Sequence, residues 1–234
     1  FTNPNGVGSK RIAVIIGGTG WLFEGNEVFG GSYSGLLVGK STTYGAVHQY
    51  TTRGNWIHDV GSSNLYHNPG PDSTRGLIER NVFSGAGGNG SNAKLGWGGS
   101  GGCTGEKAAT FGVGEVEFRY NTLHGGSRHP LTIAERGGEL PVKVHHNLVT
   151  GQTGTYSVRI DNVEGCLSSK GVEVDDNAYS ASTLAYDAGD APGILAKMDR
   201  NVKVSTGYSS TSNGFTGFAP TDATAAKYGA RATS

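Results

Sequence analysis

Apolar and polar residues alternate in seven short segments along the chain. They are WLFEGNEVFG from residue 21, YTTRGNWIHD from 50, GLIERNVFSG from 76, VEFRYNTLHG from 116, VKVHHNLVTG from 142, VEVDDNAYSA from 172 and AKMDRNVKVS from 196. A period of two predicts strands with one face turned inward. Each segment has an asparagine at its sixth position: Asn26, Asn55, Asn81, Asn121, Asn147, Asn177 and Asn201, spaced by 29, 26, 40, 26, 30 and 24 residues. Recurrence at about 20–50 residues is the mark of a repeat architecture. The leucine lattice of a leucine-rich repeat is missing, and a propeller blade needs roughly 40 residues and four strands. A parallel β-solenoid of about seven coils remains, and the longest spacing, from Asn81 to Asn121, marks an insertion. Asparagine tolerates the left-handed backbone of a tight corner. Stacked corner on corner, its amide can bond the coils above and below, which predicts an asparagine ladder.

A second strand is expected in each coil, some residues beyond the asparagine. The candidates are IAVIIGG from 12, GLLVGK from 35, NLYHNPG from 64, NAKLGWG from 92, PLTIAERG from 130 and YSVRIDN from 156. Placing Ala93, Leu95, Leu131, Ile133, Val158 and Ile160 inward turns Tyr66, Asn68, Lys94, Gly96, Thr132, Ala134, Arg159 and Asp161 outward. The same alternation, counted from Leu65, turns His67 inward.

Composition supports this picture. Glycine accounts for 41 of 234 residues, methionine for one, and charged residues for 16%, which argues against a helical bundle or coiled coil. Nineteen basic residues balance nineteen acidic ones, so no overall field draws in nucleic acid or a membrane surface, and no apolar run is long enough to span a bilayer. The chain begins at Phe1 without methionine or an apolar leader, which reads as a mature or a trimmed product from which any export signal has gone, and a secreted protein is expected. Cys103 and Cys166 are expected to form a disulfide in an oxidising compartment. The solenoid is assigned to residues 1–213. Residues 214–234, rich in alanine, threonine and glycine, are a tail packed on it or frayed from it. A monomer is expected, or part of a longer chain, the latter suggested by the missing N-terminal helical cap.

The segments GLIERNVF, NAKLGWGG, VEFRYNTLHGGSRHPLTIAERGG and VKVHHNLV resemble right-handed single-stranded parallel β-helix proteins of the pectate-lyase-like superfamily. They are most similar to the alginate lyase and chondroitinase B-like group. The architectural resemblance covers residues 11 to about 206, and the resemblance to the lyase group about 76 to 165. It implies β-elimination on a uronate-containing polysaccharide, a lysine base, an assisting arginine one coil on, and a calcium ion near the substrate carboxylate. Lys94 matches the lysine. The arginine position falls on Ala134, so Arg136 or Arg159 would have to take that role.

The residues themselves point to an acidic glycan. Lys94, Arg128, Arg136 and Arg159, with Lys107 in the insertion, make one locally basic stripe on a neutral protein, and arginine grips carboxylates and sulfates in bidentate fashion. Trp97 and Tyr66 can stack on sugar faces, and Asn68, His129, Thr132, Glu135 and Asp161 complete the candidate binding set. His67, or His129, beside Tyr66 offers a base–acid pair for elimination. The ordinary alternatives are that a lone outward lysine or arginine is idle and that His67 belongs to the core. For calcium, only the scattered Glu79, Glu106, Glu115 and Glu135 are available. Glu135 and Asp161 are the nearest carboxylate pair for a glycoside hydrolase. A non-catalytic binding solenoid, such as an adhesin or tailspike segment, is the third reading. His145 and His146 read as structural, Asp175 and Asp176 as a solvated face, GGTG at 17–20 and the glycine run from 87 as corners rather than phosphate loops, and NGS at 89–91 as a glycosylation sequon.

Overall fold

A computed structural model describes residues 12–40, 45–88, 90–96, 112–126, 129–134, 141–154, 156–160, 172–180, 183–187, 195–205, 208–211 and 214–230. It is an all-β right-handed parallel β-helix built of three sheets, each with seven strands. The first sheet stacks Ile12–Ile16, Ser34–Gly39, Ser63–Asn68, Ala93–Gly96, Leu131–Ala134, Tyr156–Ile160 and Thr183–Asp187. The second stacks Leu22–Glu24, Tyr50–Arg53, Gly76–Glu79, Val116–Arg119, Val142–His145, Val172–Asp175 and Leu195–Lys197. The third stacks the short strands Glu27–Phe29, Trp56–His58, Val82–Ser84, Thr122–His124, Leu148–Thr150, Ala178–Tyr179 and Val202–Lys203. Each ten-residue segment of the repeat is therefore two strands bent around its asparagine. The last strand of the first sheet, Thr183–Asp187, had no counterpart among the expected ones.

The ladder is present over its whole length. The side-chain oxygen of each asparagine accepts from the backbone N–H and the amide of the asparagine one coil before it. Asn81 donates to Asn121 in this way, both at 3.0 Å, and Asn121 to Asn147, at 2.9 and 3.1 Å. From Asn55 to Asn201 the amide also reaches a carbonyl of the preceding coil, as Asn121 reaches Ile78 at 2.9 Å. Asn55, Asn81, Asn121 and Asn147 are fully buried. The left-handed residue, however, is the one before each asparagine: Gly25, Gly54, Arg80, Tyr120, His146, Asp176 and Arg200, with φ between 49° and 68°. The asparagine is thus required for its amide and not for the corner conformation. Non-glycine residues there cost about 1–2 kcal/mol of strain each. Arg80 lies over the Tyr120 ring at 5.1 Å, and Tyr120 and His146 have ring centroids 4.9 Å apart, contacts that offset part of that strain.

Inside, matching positions stack coil on coil. Leu36, Leu65, Ala93, Leu131 and Val158 share one buried row of the first sheet, and Val38, His67, Leu95, Ile133 and Ile160 the next. Outside, the second sheet neutralises itself: Glu24, Arg53, Glu79, Arg119, His145 and Asp175 follow one another in register. Arg53 pairs with Glu24 at 2.7 Å, Arg119 with Glu79 at 2.9 Å, and His145 with Glu117 at 2.9 Å. Asp175, expected as solvated, is bound by Lys197 and Arg200, each at 2.5 Å.

The C-terminal segment packs on the third sheet. It contains a single helical turn, Gly214–Gly217, and a 3-10 turn, Ala225–Lys227. Phe218 and Ala230 close over Val82, and Ala225 over Leu148 and Ala178. Among the described residues no helix is long and apolar enough to cross a membrane.

Replacing Asn121 by alanine removes the acceptor of the Asn81 backbone N–H and the side-chain donor to the Ile78 carbonyl in the interior, and leaves the Asn147 side-chain oxygen with the residue 121 backbone N–H alone. Each stranded group costs on the order of 1–3 kcal/mol, so urea or thermal unfolding should show a large loss of stability. An unchanged midpoint would refute the ladder as a stabilising element.

Candidate functional site

The outer face of the first sheet differs from that of the second. Tyr66, Lys94, Thr132 and Arg159 follow one another in register on four neighbouring strands. They turn outward because the residues on either side, Leu65 with His67, Ala93 with Leu95, Leu131 with Ile133 and Val158 with Ile160, fill the core. A cleft holding about 140 Å³ of solvent space opens above them, lined also by Tyr33, Ser34, Ser62, Ser63, Gly90, Ser91 and His129. That is well below the roughly 300–1,000 Å³ of a pocket enclosing a drug-sized ligand, and suits one stretch of an extended chain.

Small residues shape its margin. Gly61 and Gly90 bring the corner backbones so close that a Cβ on either would collide with the Ser32 or Ser62 carbonyl of the neighbouring coil. A second, shorter asparagine ladder holds the same corner. Asn64 donates to the Asn92 side-chain oxygen at 2.9 Å, and Asn92 donates to the carbonyls of His124 and Gly125 at 3.1 and 2.8 Å. Sequence reading missed this pair, although an asparagine directly before the first inward residue of each strand was there to find.

The chemistry of the lining is one-sided. Lys94 places its ammonium over the Tyr66 ring at 5.4 Å, and Tyr33 meets Tyr66 edge to face at 6.4 Å. The Ser91 and Thr132 hydroxyls are 2.7 Å apart. Two cations, a histidine, two tyrosines and several hydroxyls line the cleft, and no carboxylate does so among the described residues. On the second sheet, by contrast, the cavity lined by Arg75 and Lys143 also holds Glu115 and Glu117, and the one lined by Lys143 and Arg200 also holds Glu173, Asp175 and Asp176.

The expected site residues divide as follows. Tyr66, Lys94, His129, Thr132 and Arg159 are brought together in the cleft. His67 is not: it lies fully buried in the core, hydrogen-bonded through Nε2 to the Tyr50 hydroxyl, and burial pushes its pKa down to about 3. Alternation from Leu65 governs, so His67 is a neutral core residue and not a surface base. Asn68 is 6% exposed and accepts from the Gly112 backbone at 2.9 Å, tied beneath the returning chain rather than lining the cleft. Trp97, Lys107, Arg128, Glu135, Arg136, Asp161 and the cysteines Cys103 and Cys166 lie outside the described residues. The calcium ion implied by the family resemblance does not fit the described lining, because calcium takes six to eight oxygens with carboxylates prominent among them. Among the described residues no group of three or more histidine, cysteine, aspartate or glutamate side chains is placed to hold a metal.

The fold and cleft together define a parallel β-helix with a basic, hydroxyl-rich groove across four strands. No family model, no curated protein and no solved structure matches the chain.

The depressed pKa of His67 carries a pH signature. An unfolded histidine takes up its proton near pH 6.5, whereas His67 in the fold resists until about pH 3. The unfolded state binds more protons throughout that window, so stability falls as pH drops from about 6.5 toward 3, by up to roughly 1.4 kcal/mol per unit from this one group. Replacing His67 with glutamine should flatten that slope in urea unfolding measured between pH 7 and 4. An identical slope would show that His67 is not buried as a neutral group.

Proposed function

We propose that this protein is a carbohydrate-active β-helix working outside the cell, which takes an acidic polysaccharide across the outer face of its first sheet and cleaves it by β-elimination. One observation carries the reading: two cations face a cleft of tyrosines and hydroxyls that no described carboxylate enters, on a protein whose charges otherwise balance. An anionic, hydroxyl-rich ligand satisfies both halves of that surface. The resemblance of NAKLGWGG and its neighbours to pectate-lyase-like enzymes points the same way.

In elimination the acid group of the reacting sugar lies at Lys94, whose charge makes the proton on the adjacent carbon removable. Tyr66 and His129, which line the cleft with Lys94, are the groups suited to move protons: one leaves the carbon, one reaches the departing glycosidic oxygen. The carbon–oxygen bond breaks, a carbon–carbon double bond forms within the sugar, and no water is consumed. Lys94, whose ammonium lies 5.4 Å from the Tyr66 ring centroid, is suited to neutralise the acid group. Hydrolysis would need a carboxylate pair across the bond. The low exposure of Tyr66 (7%) and His129 (9%) favours a second reading, a groove that binds the glycan without turning it over.

An ultraviolet screen over alginate, pectate, hyaluronan and chondroitin and dermatan sulfates separates these readings. Absorbance from unsaturated uronate is expected on at least one glycan. It should vanish in Lys94→Ala with the fold intact, and fall at least tenfold in Tyr66→Phe or His129→Ala if that residue moves the proton. New reducing ends without absorbance would establish hydrolysis. Retardation on a glycan-containing gel with neither product would establish a binder, and no interaction with any of these glycans would overturn the proposal.

A further inference from the structure

We propose that the cleft reads two acid groups on one glycan chain, one at Lys94 and one at Arg159, with a single sugar between them lying over Thr132. This rests on the reading of the cleft as a glycan site and fixes which sugars it recognises. Neighbouring parallel strands lie about 4.8 Å apart, close to the length of one pyranose unit in an extended glycan. A chain laid along the solenoid axis therefore advances by about one sugar per strand. Lys94, Thr132 and Arg159 occupy one register line on three successive strands, which separates the Cα positions of Lys94 and Arg159 by about 10 Å, or two sugars.

The Lys94 ammonium lies 5.4 Å from the centroid of the Tyr66 ring, whose strand flanks that of Lys94 on the side away from Thr132. The position between Lys94 and Arg159 is uncharged, and the Thr132 hydroxyl is held by Ser91 at 2.7 Å. Hydroxyls continue along the margin, with Ser34 in register with Ser63 and the Ser91 backbone donating to Ser63 at 3.4 Å. Two kinds of glycan fit: one in which acidic and neutral sugars alternate, and a twofold ribbon whose successive acids face opposite sides. A chain that turns the acids of adjacent sugars to one face does not.

The test is calorimetric titration of the full chain with oligouronates of one, two, three and four sugars, under conditions in which no unsaturated product accumulates. One and two sugars should bind alike and weakly. The third should raise affinity on the order of tenfold, the value of one further charge-assisted contact, and the fourth should add little. Arg159→Ala should remove the gain from the third sugar while leaving one-sugar binding within about twofold, and Arg159→Lys should keep part of the gain. Circular dichroism and melting confirm that each variant is folded. A gain complete at two sugars, an even gain with every sugar, or an equal loss at all lengths in Arg159→Ala would overturn the spacing and leave the glycan reading standing. Absence of binding at every length would overturn the glycan reading itself.

Discussion

The amide of a buried asparagine, bonded forward and backward along the solenoid axis, is the constraint on which the rest of this structure depends. A parallel β-helix has no tight hairpins to set its register, because successive strands of each sheet begin more than twenty residues apart in the chain. The ladder supplies the register instead. Each amide fixes the height of its corner against the next, and the strands on either side must then pair in step. Aligned core rows, the alternating charges of the second sheet and the Lys94–Thr132–Arg159 line all follow from that one alignment.

The same constraint accounts for how much could be read from the sequence. The ladder residues recur with alternating apolar neighbours, and that pattern is visible without a structure because it is enforced at every coil. Conformation at the corner was less legible. Asparagine's tolerance of left-handed backbone suggested that it sat there itself, yet Arg80, Tyr120 and His146 carry the positive φ, and nothing in their side chains announces it. Cooperative pairing overrides the local preference of a single residue. Thr183–Asp187 was missed for a related reason, since it joins the first sheet through its pairing with Tyr156–Ile160 and not through a marked pattern of its own.

Among the candidate site residues, alternation proved the stronger guide than chemical type. Leu65, Ala93, Leu131 and Val158 fixed the inward set, and Tyr66, Lys94, Thr132 and Arg159 followed outward. His67 attracted attention as a titratable group beside Tyr66, but parity placed it in the core, where the Tyr50 hydroxyl bonds its Nε2. The one-sidedness of the described lining could not be read from the chain, because it depends on which residues meet across separate coils. The acidic residues of the second sheet are held by Arg53, Arg119, Lys197 and Arg200 around the corner from the cations of the first.

Because every ladder asparagine touches only its neighbours in the stack, the protein approximates a one-dimensional chain of coupled units. Cooperativity in such a chain is local. The interior rungs, sealed on both sides, open only when an adjoining rung has opened. Asn26 and Asn201 at the two ends are partly exposed and have a ladder neighbour on one side only. Amide exchange would therefore be slowest near Asn81 and Asn121 and quicken toward both ends, so the molecule melts as a zipper frays and its most protected part is the stretch of coils that carries the cleft.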